Sequence, residues 1–130
     1  MTVSAWSVSL SGLEGSLVEV EAALGGGLPR VVLVGLPDAA LNEAKDRVKA
    51  AVNSSDLSFP SRRLTINLSP AGRPKNGTHY DLAIAAATLA VNEQVPDERV
   101  QDFVLLGELG LDGRVRRVRG ILPALLAARR

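Results

Sequence analysis

The segment Leu82 to Val91 reads Leu-Ala-Ile-Ala-Ala-Ala-Thr-Leu-Ala-Val, with Thr88 as its one polar residue. Asp81 opens it with the negative charge a helix N-terminus favours, and a helix over these residues is apolar on nearly every side. Such a helix has no face to offer water and belongs inside a core. At ten residues it has about half of the ~20 that a membrane-spanning helix requires, so no membrane segment is expected. The rest of the chain must supply the elements that enclose it.

Val3 to Leu10 alternates in part, and in Ser16 to Glu21 the residues Val18 and Val20 alternate with Glu19 and Glu21, so two adjacent strands are expected. After Gly25-Gly26-Gly27 and Pro29, Arg30 to Val34 is a short apolar run of the buried-strand kind. Asp38 then caps a helix in which Leu41, Ala44, Val48, Ala51 and Val52 recur at helical spacing and Glu43 pairs with Arg47 at i,i+4. Arg63 to Leu68 places Leu64, Ile66 and Leu68 on one side and Thr65 and Asn67 on the other, which is a half-buried strand. Ser69 to Tyr80 is a loop, and Gln94 to Asp102 is a polar connection around Pro96. Phe103 to Leu111 and Arg114 to Val118 form a hairpin about Asp112-Gly113, a pair suited to a turn with positive φ. A last helix begins near Gly120, admits Pro123 only in its first turn, and runs to Arg130. This order predicts an α/β fold, an α+β sandwich with one mixed β-sheet and helices packed over one face.

At 130 residues with 46% hydrophobic and 22% charged residues, residues 1–130 make a single domain with a real core, and disorder is excluded as the main state. Zero cysteines and one histidine, His79, exclude disulfides, zinc ribbons, thiol nucleophiles and any site that needs two imidazoles. Met1 to Leu10 lacks the basic and apolar regions of a signal peptide, which points to a cytoplasmic address. No Lys is followed by Ser or Thr, so no Walker A loop exists, and no Gly-x-Gly-x-x-Gly lies between a strand and a helix. The sequence therefore assigns no catalytic, cofactor or metal residue. The formal net charge of +1 hides an uneven distribution: residues 111–130 hold Arg114, Arg116, Arg117, Arg119, Arg129 and Arg130 against Asp112 alone. A basic segment of this kind is either a solvated face or a contact for nucleic acid or another acidic partner.

Two further groups of residues invite chemistry. Asp81 with Glu108 is the one carboxylate pair to consider for acid–base work, set against a helix-end charge and an exposed strand position as their ordinary roles. The loop from Arg73 to Asp81, with Lys75, His79 and Tyr80, is the one dense polar constellation. It would suit an anion such as a phosphate, or be a solvated loop.

Several motifs in register carry a resemblance. Val34-Gly35-Leu36-Pro37-Asp38, Glu43 with Asp46-Arg47-Val48, Phe59-Pro60 with Arg63 to Ala71, Lys75-x-Gly77 with Asp81-Leu82-x-Ile84-Ala85, Gly107-Glu108-Leu109 and Val118 to Pro123 stand in the order of the ComM/YifB family, the magnesium-chelatase-like AAA+ ATPases of bacteria. The chain resembles the N-terminal domain of that family, similar in fold to the Lon protease domain. The resemblance implies a fragment of a longer protein whose AAA+ module, with its ATP and magnesium, is absent here. It also implies a DNA-acting ring that promotes branch migration during recombination in natural transformation. Lon carries its nucleophilic serine in Lys-Asp-Gly-Pro-Ser-Ala-Gly, and the matching stretch Lys75 to Asp81 places His79 there; the Lon lysine of Gly-Gly-Leu-Lys corresponds to Leu122. An alkyl chain accepts no proton and an imidazole is a poor acylation nucleophile here, so both roles of a Ser-Lys mechanism are missing.

The reading that follows is a non-catalytic domain for ring assembly or DNA contact, with self-association through the AAA+ module. The alternatives are a degenerate Lon-like peptidase and a free-standing nucleic-acid-binding module. In a Lon-like fold the loop before the second helix and the loop before the last helix lie side by side. Arg73, Lys75, Arg116, Arg117 and Arg119 are therefore expected to pool their charge as a rim for DNA phosphates or a neighbouring subunit.

Overall fold

The computed structural model describes residues 2–11, 14–36, 38–69 and 78–116. Its elements are β1 (Thr2–Ser11), β2 (Glu14–Gly25), β3 (Val31–Val34), α1 (Asp38–Ser54), β4 (Arg63–Ser69), α2 (Asp81–Val91), α3 (Asp97–Val100), β5 (Glu108–Leu109) and β6 (Val115–Arg116). β1 and β2 form a long antiparallel hairpin, β4 pairs antiparallel with the other edge of β2, and β3 lies parallel beside β4. The order β1-β2-β4-β3 is the expected mixed sheet, with α1 as the crossover that any parallel pair requires.

Alternation decides which side of the sheet is covered. Val3 and Ala5 of β1, Val18, Val20 and Ala22 of β2, Leu33 of β3, and Leu64, Ile66 and Leu68 of β4 are all buried in one core with both long helices. α2 lies across β1 and β2, while α1 touches β3 and packs against α2, so both helices occupy the same face. Ala83 and Ala87 are wholly buried; side chains this short let the α2 backbone come close to the sheet. The hydroxyl of Thr88, the one polar group within α2 after Asp81, donates to the Ile84 carbonyl at 2.8 Å and so needs no outside partner. No helix among the described residues is long and apolar enough to cross a membrane.

The structure departs from expectation at four places. β2 is twice the length that Ser16 to Glu21 suggests, because strands on both sides satisfy its backbone, which periodicity cannot show. The connection around Pro96 contains the short helix α3, whose N–H of Glu98 is taken by Asp97 Oδ1 at 2.9 Å. Of the hairpin expected from Phe103, the described residues pair as β5 and β6, a separate two-stranded sheet whose first strand begins only at Glu108. Val104 instead bridges Trp6 in parallel at the outer edge of β1. The last helix expected from Gly120 lies outside the described residues.

One glycine is fixed by geometry. Gly35, between β3 and α1, has φ +106°, and a Cβ there would lie 2.6 Å from the carbonyl oxygen of Leu68. The turn passes so close to β4 that only a hydrogen fits.

Candidate functional site

The first turn of α2 is where the chain concentrates polar groups inside the molecule. The Thr78-His79-Tyr80 turn delivers Asp81 to the start of the helix, closed by Asp81 N–H to the Thr78 carbonyl at 3.2 Å. The segment after α3 is stitched to this turn. Gly107 N–H donates to the His79 carbonyl and Leu82 N–H to the Gly107 carbonyl, both at 3.0 Å, and Leu109 N–H donates to Asp81 Oδ2 at 3.1 Å. A Cβ at Gly107 would meet Val115 Cγ1 of β6 at 2.5 Å, so the glycine leaves room for that strand's side chain.

Asp81 is 1% exposed. A carboxylate so placed needs a cation, and Arg47 of α1 provides it through a two-pronged contact: Nε to Oδ2 at 2.6 Å and the second amino nitrogen to Oδ1 at 3.1 Å. Burial pushes the Asp81 carboxyl up, against the pull of Arg47 and of the Leu109 amide, and the hydrogen bond to Asp81 raises the Arg47 guanidinium further. Sequence spacing pairs Arg47 with Glu43. That contact exists at 3.7 Å, but Glu43 is largely exposed and the principal partner is Asp81. The missed signal was Asp81 itself, an acid at the mouth of a buried helix that no neighbour in sequence could neutralise.

The other members of the constellation are equally committed. Thr78 Oγ1 donates to Glu108 Oε2 at 3.0 Å. His79 is 4% exposed and lies with its ring centroid 4.2 Å from that of Tyr80. Its Nε2–H donates to the Val8 carbonyl at 2.6 Å, since a carbonyl can only accept. Burial lowers the His79 pKa from its ordinary value. On the outer edge of β1, Leu105 N–H takes the Trp6 carbonyl at 2.7 Å, and two residues on the imidazole takes the Val8 carbonyl. His79 thus continues the edge pairing where the Val104 bridge ends, and closes backbone groups that would otherwise invite another strand. The hydroxyls of Ser7 and Tyr80 are buried without a partner among the described residues; burial pushes the Tyr80 phenol up to about 12, so it stays protonated at neutral pH.

Asp81 and Glu108 do come together with Arg47, but Asp81 is held by three donors and Glu108 accepts from Thr78. Thr78 directs its hydroxyl to Glu108 and His79 directs Nε2 to Val8, so the two form no nucleophile–base pair. Of the expected basic rim, Arg73, Lys75, Arg117 and Arg119 lie outside the described residues, as does Leu122. Arg116 pairs in β6 with Glu108 of β5, and its side chain lies outside the description. Among the described residues no group of three metal-ligating side chains gathers.

A mixed four-stranded sheet with both long helices on one face, and with α2 opened by a buried Arg–Asp pair, defines an α+β domain. A family model described as subunit ChlI of Mg-chelatase matches residues 19–130. An uncharacterized protein of Mycobacterium tuberculosis is 58% identical over 97% of this chain and 25% of its own length. Competence protein ComM of Haemophilus influenzae is 39% identical over 96% of this chain and 25% of its own, and YifB of Escherichia coli is 40% identical over 90% and 23%. A Lon protease of Xanthomonas oryzae is more distantly similar, 27% identical over 89% of this chain and 14% of its own. The chain belongs to the magnesium-chelatase-like ComM/YifB family. It spans about a quarter of the length of these mycobacterial, ComM and YifB relatives.

Proposed function

We propose that this chain is the non-catalytic Lon-like domain of a longer AAA+ ATPase, a competence-related protein that drives branch migration of DNA during recombination. The domain serves ring assembly or DNA contact, and ATP and magnesium belong to the AAA+ module. Arg73, Lys75, Arg116, Arg117 and Arg119 remain the proposed rim for DNA or a neighbouring subunit, and the cytoplasm is the proposed location. The likeness to ComM over 96% of the chain supports the motor. The observation that carries the non-catalytic reading is His79: where Lon proteases place a serine, this chain has a buried imidazole spent on the Val8 carbonyl.

The distant likeness to a Lon protease favours the second reading, a degenerate peptidase, and one experiment separates the two. Incubation with unfolded casein and with a serine-reactive fluorophosphonate probe is expected to give neither cleavage nor labelling above a heat-denatured control. Time-dependent labelling of Thr78 or of any serine would establish the peptidase reading.

A further inference from the structure

The helix-free face of the sheet has one strongly basic corner. Arg63 begins β4 and stands one residue before Leu64, which is buried under the helices, so alternation turns Arg63 to the opposite face. Arg30 stands one residue before β3, and its carbonyl accepts from Leu64 N–H at 2.9 Å, which sets Arg30 beside Arg63 on the neighbouring strand. Arg62 precedes Arg63 and lines a cavity with Val91, Asn92 and Glu93 at the end of α2, so it stands at the same end of the sheet but on the helix side; all three arginines are exposed. Like charges side by side on adjacent strands repel. Nothing in the fold offsets that repulsion: none of the three has an ion pair or side-chain hydrogen bond among the described residues. Glu93 shares a cavity of about 270 Å³ with Arg62 and Leu24, yet makes no ion pair with the arginine.

The surroundings suit a phosphate chain. Opposite Arg63 on β2 stands Gly25, followed by Gly26 and Gly27, and a Cβ at any of the three would meet nothing within 4 Å. No side chain crowds this turn beside Arg63. Along β4 the next residue on this face is Thr65, whose hydroxyl can donate to a phosphate oxygen; beyond it Asn67 and Ser69 stand opposite Glu21 and Glu19 of β2, so the cationic surface is confined to the corner. Arginine rather than lysine at all three corner positions matches the forked geometry of phosphate.

We propose that Arg30 and Arg63 on the helix-free face, with Arg62 at the same end of the sheet, form a DNA-backbone contact made by residues other than Lys75 and Arg117. The inference rests on the reading of this domain as a DNA-contacting one. Three phosphate contacts correspond to a salt slope of roughly 2.7 on duplex DNA, which is about a 40-fold change in affinity for a fourfold change in salt.

The test is fluorescence anisotropy of a labelled short duplex with this chain, with salt varied fourfold. The variants are Arg30→Gln/Arg62→Gln/Arg63→Gln, a charge-matched control Lys49→Gln/Arg99→Gln/Arg114→Gln, and Lys75→Ala/Arg117→Ala. The parent should bind at the lower salt. The corner variant should lose affinity at the lower salt and most of the salt slope at an unchanged urea midpoint, so that the roughly 40-fold salt response nearly disappears, while the charge-matched control keeps the parent's slope. Should the corner variant fail to fold, the single changes Arg62→Gln and Arg63→Gln, each expected to lower the slope by about 0.9, decide the matter. Parent-like binding by the corner variant, or an equal loss in the control, overturns the corner. Loss in the Lys75→Ala/Arg117→Ala variant alone keeps the DNA reading and removes the corner, whereas no binding by the parent chain removes both.

Discussion

Replacing Arg47 by alanine is expected to destabilise the fold by about 3–5 kcal/mol at neutral pH, because it strands a buried carboxylate without its cation. Asp81 would keep the Leu109 amide as a donor, but one backbone hydrogen bond does not replace a forked guanidinium. The pH dependence has a definite sign. Burial already holds Asp81 above its unfolded pKa, and removing Arg47 takes away the main opposing pull and raises it further, so the folded variant gains stability as pH falls through that raised value toward the unfolded one and loses it as pH rises back through it. The deficit relative to the parent should therefore shrink as the pH is lowered from neutrality. Asp81→Ala should cost less than Arg47→Ala, since Arg47 is 18% exposed in its side chain and can turn to water and to Glu43. In a double-mutant cycle the two changes should couple by about 2 kcal/mol or more, where independent sites add to within about 0.5 kcal/mol. Urea denaturation of the four proteins measures this, and additive costs would show that the pair does not hold α1 to α2.

The second large effect lies at a backbone rather than a charge. Gly35→Ala must place a methyl group 2.6 Å from the Leu68 carbonyl oxygen at φ +106°. The conformation itself costs roughly 1–2 kcal/mol for a residue with a Cβ, and displacing β4 adds strain of about 1–3 kcal/mol. The expected loss is about 3 kcal/mol, read as a lowered urea midpoint. Gly26→Ala is the control, since nothing lies within 4 Å of its added Cβ, and it should stay within about 0.5 kcal/mol of the parent. Equal stability of the two variants would mean that the β3–α1 turn does not approach β4 as described.

What the sequence discloses is what local periodicity governs. The apolar run after Asp81 becomes the central helix. The alternation of Leu64, Ile66 and Leu68 becomes a strand with those three side chains buried, and Ala44, Val48, Ala51 and Val52 face the core from α1. What it withholds depends on residues distant along the chain. Arg47 and Asp81 are 34 positions apart, so the i,i+4 spacing points to Glu43 and misses the stronger partner. His79 reads as loop polarity until β1 is folded beside it, because its partner is a backbone carbonyl 71 residues away. Gly35 reads as an ordinary turn, since its constraint comes from Leu68. The corner of Arg30, Arg62 and Arg63 exists only once β3 and β4 are paired in parallel.

A domain that serves a DNA motor without chemistry of its own should matter for junction movement and not for ATP hydrolysis itself. The most direct test is ATP-driven movement of a branched DNA junction by the full-length protein, compared with the same protein lacking residues 1–130, with ring assembly and basal ATP hydrolysis followed in parallel. The shortened protein is expected to hydrolyse ATP still but to lose junction movement together with ring assembly or DNA affinity. Junction movement at the parent rate without the domain would contradict this role.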